Sequence, residues 1–476
     1  MRRVIFIFLT LFLLSSCVKY VDNNAGLEVA DIFGDNMVLQ RNMRTRIWGV
    51  TSPEARVKVS FRNRTKRDRA NIDGRWEVSF NHLKASENSK GDDLIITTSE
   101  DTLILNNVLV GDVWLCSIND SNIKGNKIQS ADYPNIRLFK VGENASDVPV
   151  DTLCSNGWER CRPEALSDFS SIAYRFGRNL SDKLNVPIGL IEVDKSSTTV
   201  ENWTSRDFLS KLAYFSETLF NQDAVVDSSG VSKYCSLYNG MINPLRRFVL
   251  KGVVWYQGES NIESAHQYRT LFPLMIKNWW MKWEQGYFPF IYLQLPSYNG
   301  ITTEPVEDQM AELRDAQLRT LNLPHTGMAV TIDLLKNNMS STENEEIVAD
   351  RLTLIALHDA YKEKIPYSGV IYNGVEFKDS KAIVSFKHIY EGLKIGPLND
   401  SISKELKGFS IAGTNKIFVW ADAKIQGDKV IVSSSKVKHP VSVRYGWSRH
   451  PECNLYNSIG LPASPFKTDN WKGITK

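Results

Sequence analysis

The sequence predicts an α/β protein in which a doubly wound parallel sheet is flanked by an N-terminal and a C-terminal all-β region. Three observations carry this. Residues 26–106 alternate with a period of two, residues 107–365 interleave apolar runs with amphipathic helices, and the strand pattern returns over 366–476.

In the first region Val57, Val59 and Phe61 fall on one face, and Trp76, Val78 and Phe80 follow the turn Asp73-Gly74. The period then changes at about residue 107. Residues 108–115 form the first apolar run. Ala173, Phe176, Leu180 and Leu184 mark a helix that feeds a strand over 188–193. A further run at 253–256 precedes a helix carrying Leu271, Met275 and Trp279, and runs at 288–295 and 327–333 follow. Buried runs alternating with helices imply a parallel sheet covered on both faces, with its active site at the carboxyl ends of the strands. Strand pattern at 382–386, 429–432 and 441–445 defines the last region.

The chain opens with a positive n-region, Arg2-Arg3, and an apolar h-region over 4–14, followed by Leu14-Ser15-Ser16-Cys17. That h-region is too short for a permanent bilayer span, so it reads as a secretory signal. Small residues directly before a cysteine resemble the bacterial lipobox. The resemblance implies that residues 1–17 are a lipoprotein signal and that Cys17 is lipidated. The expected protein is therefore extracytoplasmic and held to a bacterial membrane, in the periplasm or at the cell surface, by a lipid anchor.

A chain of 476 residues is too long for one compact core. Its formal net charge of +3 loses two positive charges with Arg2 and Arg3, which leaves no electrostatic case for nucleic acid. The basic stretch at 62–69 reads as a solvated hairpin. Cys116, Cys154, Cys161, Cys235 and Cys453 show no metal-ligand spacing, and neither a metal nor a cofactor is expected. Cys154 and Cys161 could close a small disulfide, although the pairing is not readable from the sequence. Twelve tryptophans is a high count, and any exposed one could stack on a sugar ring.

Two strand ends hold the informative residues. The first reads Gly111-Asp112-Val113-Trp114-Leu115-Cys116-Ser117-Ile118-Asn119-Asp120-Ser121-Asn122, and the second Gly252-Val253-Val254-Trp255-Tyr256-Gln257-Gly258-Glu259-Ser260-Asn261. With Asp35-Asn36-Met37-Val38-Leu39-Gln40, Tyr238-Asn239-Gly240-Met241-Ile242, Leu313-Arg314-Asp315-Ala316-Gln317 and Gly460-Leu461-Pro462-Ala463-Ser464-Pro465-Phe466, the chain resembles the sialate O-acetylesterases of the SGNH hydrolase superfamily. The resemblance spans about residues 27–471. It implies an SGNH-type α/β domain that removes acetyl groups from sialic acid or a related glycan with a serine triad and no cofactor.

Carried over position by position, the triad is substituted. The family's Cys-Ser-Gly-Gln-Ser-Asn-Met run puts its nucleophile on Asp120 without a gap, or on Ser121 with one inserted residue. Either way Ile118 replaces the glycine of the nucleophile turn. The oxyanion loop Trp-Gly-Gly-Thr becomes Lys195-Ser196-Ser197-Thr198, with Glu201 and Trp203 following, and the remaining oxyanion contributor matches Asn261. In place of the family's Asp-Ile-His-Pro run, Met339 holds the aspartate position and Ser341 the histidine position. Of the seven histidines, His266 alone reads as near a strand's carboxyl end. The segment between Asn122 and Tyr133 is also shorter than is usual in the family.

Three functions remain open. The chain is a catalytically impaired homologue whose Gln257, Glu259 and Arg314 still hold a glycan, or an active esterase using Ser121 with an unconventional base such as His266, or a cell-surface interaction protein.

Overall fold

The structure, a computed structural model, describes residues 26–118, 132–220, 234–297, 302–334, 341–398 and 403–475. At its centre lies one long strand, β1 (Thr102–Ile118), buried from Val108 to its end. Its first half pairs antiparallel with Asp92–Thr97 of the N-terminal region, and its middle runs parallel to Val38–Gln40. The change of period at 106/107 therefore falls inside a single strand. Asn107 sits there with φ 58, a left-handed conformation that asparagine tolerates, so the sequence marks a kink in the strand at this point.

Five further strands run parallel to β1: β2 (Tyr133–Val141), β3 (Ile188–Glu192), β4 (Gly252–Tyr256), β5 (Phe290–Leu293) and β6 (Thr326–Ala329). Among the described residues their order is β2-β3-β1-β4-β5-β6, with Ser155–Cys161 antiparallel on the outer edge of β2. The chain leaves β1 to one side and comes back on its other side at β4. The strand order thus reverses at β1, which opens a crevice at its carboxyl end between the loops of β3 and β4.

Four helices flank the sheet: α1 (Ser171–Leu184), α2 (Ala265–Trp283), α3 (Gln309–Thr320) and α4 (Ser341–Asp359). Trp114 is in register with Gly252 and Ser117 with Trp255, so Trp114 and Trp255 point to opposite faces. Trp114 meets Phe176 of α1 edge-on at 5.1 Å, and Trp255 meets Trp279 of α2 at 5.7 Å. Helices consequently cover both faces. Arg175 ties α1 to Glu345 of α4 at 3.3 Å, and Arg269 ties α2 to Asp315 of α3 at 3.0 Å.

The faces expected in the N-terminal region hold. Val57, Val59, Phe61, Trp76, Val78 and Phe80 are all buried. The basic stretch forms the strand Arg64–Arg69, which hairpins onto Arg56–Phe61 and is largely exposed. In the C-terminal region two four-stranded antiparallel sheets form, one containing Lys381–Lys387 and Lys429–Ser433, the other Phe409–Ala412, Phe418–Trp420 and Ser442–Tyr445.

No disulfide joins Cys154 and Cys161, which corrects the pairing considered for them. Cys154 precedes, and Cys161 ends, the same extended strand Ser155–Cys161. A strand rise of about 3.3 Å per residue holds them roughly 20 Å apart, far beyond disulfide reach. No described helix is long and apolar enough to cross a membrane, and Cys17 lies outside the described residues.

Candidate functional site

A cavity of about 160 Å³ opens where the strand order reverses, lined among others by Ser117 of β1, Lys195, Ser197 and Thr198 after β3, and Gln257 and Glu259 after β4. The loops that form it are stitched together by one amide network. Asn261 Oδ1 accepts from the Val200 amide at 2.9 Å and from Gln257 Nε2 at 2.9 Å, while Asn261 Nδ2 donates to Glu201 Oε2 at 2.9 Å. Gln257 Nε2 also donates to the Thr198 carbonyl at 3.0 Å, and its Oε1 accepts from the Tyr268 hydroxyl at 3.1 Å. Burial lifts the Tyr268 phenol well above the ordinary tyrosine range, so it stays a neutral donor.

This network changes two expected roles. Asn261 is fully buried and is not among the residues lining the cavity. Its side chain locks the β3 and β4 loops to each other. Gln257 does line the cavity, but its amide is spent on those same loops and on Tyr268, so it shapes the wall. Glu259 lines the cavity and is partly exposed, as a substrate contact requires.

Arg314 is the clear correction. Its guanidinium is fully buried in α3. It donates to the carbonyls of Leu295 at 2.9 Å, Ser448 at 2.7 Å and Arg449 at 3.3 Å, and to that of Pro296. It therefore clamps the end of β5 to the loop before Cys453 and does not reach a substrate. The sequence carried no signal for this, because Ser448 and Arg449 lie more than a hundred residues away in the chain.

The glycine-to-serine changes in the oxyanion loop have a physical trace. Ser197, at one of the family's glycine positions, holds φ 60. The backbone keeps the left-handed geometry that glycine provides at no steric cost, and a side chain bears the strain. Ser197→Gly is expected to raise stability by roughly 0.5–1 kcal/mol, read from the urea midpoint. An unchanged or lower midpoint would remove the strain argument.

Of the residues assigned to the triad, Asp120, Ser121 and Met339 lie outside the described residues. Ser341 opens α4 and is not among those lining the cavity. All seven histidines are described, and none lines it. His266 is exposed at the start of α2, its amide donating to Thr475 Oγ1 at 3.0 Å. His358 closes α4, stacked on Tyr367 at 3.6 Å with its Nδ1 2.7 Å from Asp359. His450, read from sequence as a β-region residue, lies beside the loop after β5, where its carbonyl accepts from Thr302 Oγ1. Among the described residues no group of three or more side chains could hold a metal ion.

Over residues 163–352 the chain matches the family model described as carbohydrate esterase, sialic acid-specific acetylesterase. It is 28% identical to the sialate O-acetylesterase of Homo sapiens, over 96% of this chain and 96% of that one. The figures are the same for the sialate O-acetylesterase of Pongo abelii. The crystal structure of a carbohydrate acetylesterase from Xanthomonas citri superposes with a TM-score of 0.81 at 32% identity, covering 93% of this chain and 100% of that chain.

The chain belongs to the sialate O-acetylesterase family.

Several family motifs now have structural reasons. In the Asp35 to Gln40 run, Gln40 takes the Val113 amide on Oε1 at 2.8 Å and gives its Nε2 to Asp112 at 2.9 Å, while Arg41 pairs with both Asp112 oxygens. That motif fixes the N-terminal region to β1. In the Tyr238 to Ile242 run, a Cβ on Gly240 would lie 1.9 Å from the Asn144 carbonyl oxygen. Only glycine allows that approach. These sialate O-acetylesterase motifs, like Arg314, maintain the scaffold on which the cleft is built.

Proposed function

We propose that this chain is a catalytically impaired member of the sialate O-acetylesterase family, with an SGNH-type doubly wound domain whose cleft faces a sialylated or related glycan. The extracytoplasmic placement, in the periplasm or at the cell surface, is part of the proposal: Cys17 carries the lipid that tethers it outside the cytoplasm. The observation that carries the reading is the absence of all seven histidines from the cavity lining, together with Met339 and Ser341 at the family's acid and base positions. Acyl transfer by serine needs a base whose proton affinity lies near neutral pH. Hydroxyls and carboxylates remain in the cavity and suit the binding of sugar hydroxyls, while a carboxylate's proton affinity lies further from neutrality than imidazole's.

The test pairs two measurements on the purified protein, hydrolysis of an acetyl ester and binding of an O-acetylated sialoglycan. Binding without hydrolysis is the expected result. Hydrolysis abolished by Ser121→Ala would overturn the impairment, and loss of that hydrolysis in His450→Ala or His266→Ala would name the unconventional base. Neither hydrolysis nor binding would favour an interaction role. For the anchor, Cys17→Ser is expected to move the protein from the membrane fraction to the soluble fraction; continued membrane retention would argue against lipidation at this residue.

A further inference from the structure

Of the twelve tryptophans, all within the described residues, Trp420 alone is exposed, at 42%. It ends the strand Phe418–Trp420 on the rim of a second cavity of about 230 Å³, far along the chain from the cleft. The ring is held. Its indole N–H donates to the Thr303 carbonyl at 2.8 Å, so one orientation of the indole is fixed by the loop between β5 and α3. A fixed, exposed aromatic ring loses little conformational freedom on binding.

The cavity floor combines aromatic faces with charge. Arg444, 3% exposed, lies 4.1 Å from the Phe418 ring centroid and 4.9 Å from that of Trp447. Its guanidinium is fixed by Glu307 at 2.7 Å and by Asp469 at 2.9 Å, and Trp447 Nε1 reaches the other Glu307 oxygen at 3.4 Å. Glu307 remains part exposed at the rim. A volume of about 230 Å³ is below the 300–1,000 Å³ of drug-sized pockets, so the cavity suits one ring and not an extended ligand.

We infer that this groove is a second sugar-binding subsite, taking one pyranose ring of a glycan. A pyranose offers an apolar C–H face for the Trp420 indole and hydroxyls for the Glu307 carboxylate at its edge. A lipid tail would leave Arg444, Glu307 and Lys416, which all line the cavity, facing hydrocarbon, at a large desolvation cost. The small concave shape is also unlike the broad patch of a protein interface. The wall residues Val306 and Glu307 belong to a loop at the carboxyl side of the parallel sheet, the side on which the cleft opens. This inference rests on the proposed glycan-facing role for its choice of ligand, but not on the cleft for its site.

Trp420 supplies its own reporter. Acrylamide quenches exposed indoles, and the cleft tryptophans Trp203 and Trp255 are each 1% exposed. Millimolar 3′-sialyllactose or lactose is expected to lower the quenching constant of the purified protein at least twofold. Thr198→Trp fills the cleft and, because it adds an indole of its own, is read by ligand NMR and not by quenching. Saturation-transfer NMR on Thr198→Trp should still show sugar signals, which Trp420→Ala in that background abolishes and Trp420→Phe largely preserves. Loss of the signals in Thr198→Trp alone would confine sugar binding to the cleft, overturning the groove while leaving the cleft reading intact. Absence of quenching protection with both sugars would also overturn the groove. Protection in the wild-type protein together with transfer that survives cleft filling would support the groove whatever the cleft proves to do.

Discussion

Purified protein is expected to hydrolyse 4-nitrophenyl acetate at least about 10⁴-fold more slowly than a family member with an intact triad, the typical cost of losing the base or its orienter. Triad losses are not additive. Once no imidazole accepts the serine proton, the altered nucleophile turn at Ile118 costs comparatively little, whereas the changed oxyanion loop lowers the residual rate further, because that residual comes from the oxyanion hole and binding. Ser121→Ala should therefore leave the rate unchanged. The pH profile separates this from a merely weakened triad. A working histidine gives an inflection near its titration, about pH 6–7, whereas background ester hydrolysis rises with hydroxide and shows none there. An inflection in that range together with a fall in Ser121→Ala would defeat the reading. An inflection that moves or vanishes in His450→Ala would place the base beside the loop after β5.

Much of the scaffold was legible because burial leaves a period in the chain. The run at 253–256 became β4 and lies wholly buried, while Val57, Val59 and Phe61 alternate inward as read. The kink at Asn107 was harder to read, since an abrupt change of period is also what a domain boundary produces. Site chemistry was legible only where residue type decides it. Counting the histidines and following where the fold sends each shows that none of the seven lines the cavity, and the proposed impairment starts from that. The role of Arg314 was not legible. α3 buries charged and polar side chains on several sides, Glu312, Arg314, Asp315 and Gln317 among them, so it offers no polar stripe from which direction could be inferred. Its partners come from distant parts of the chain. Glu312 accepts from the Ile474 amide at 2.6 Å, and Arg314 reaches Ser448. Trp420 presented the same difficulty in reverse, since nothing local marks one tryptophan among twelve as the exposed one.

Arg314→Ala is expected to destabilise the protein by about 3–5 kcal/mol, at the upper end for a single substitution. Charged hydrogen bonds contribute about 1.5–3 kcal/mol each. This guanidinium makes several of them to backbone carbonyls, and those of Leu295 and Ser448 belong to buried residues. Truncation also leaves a cavity, which adds to the cost. Arg314→Lys should recover only part of the loss, because an ammonium has no planar fork to span carbonyls from two loops. Since Arg314 joins the end of β5 to the 448–449 loop, its removal should loosen the C-terminal sheets before the parallel sheet. Unfolding therefore needs two probes, because a two-state midpoint would conceal that order. Tryptophan fluorescence dominated by the buried Trp114, Trp203, Trp255 and Trp279 should report the later transition, and acrylamide access to Trp447 the earlier one. If Arg314→Ala instead bound glycan poorly while unfolding at the wild-type midpoint, Arg314 would be a ligand contact after all, and the clamp would be the wrong description of this residue.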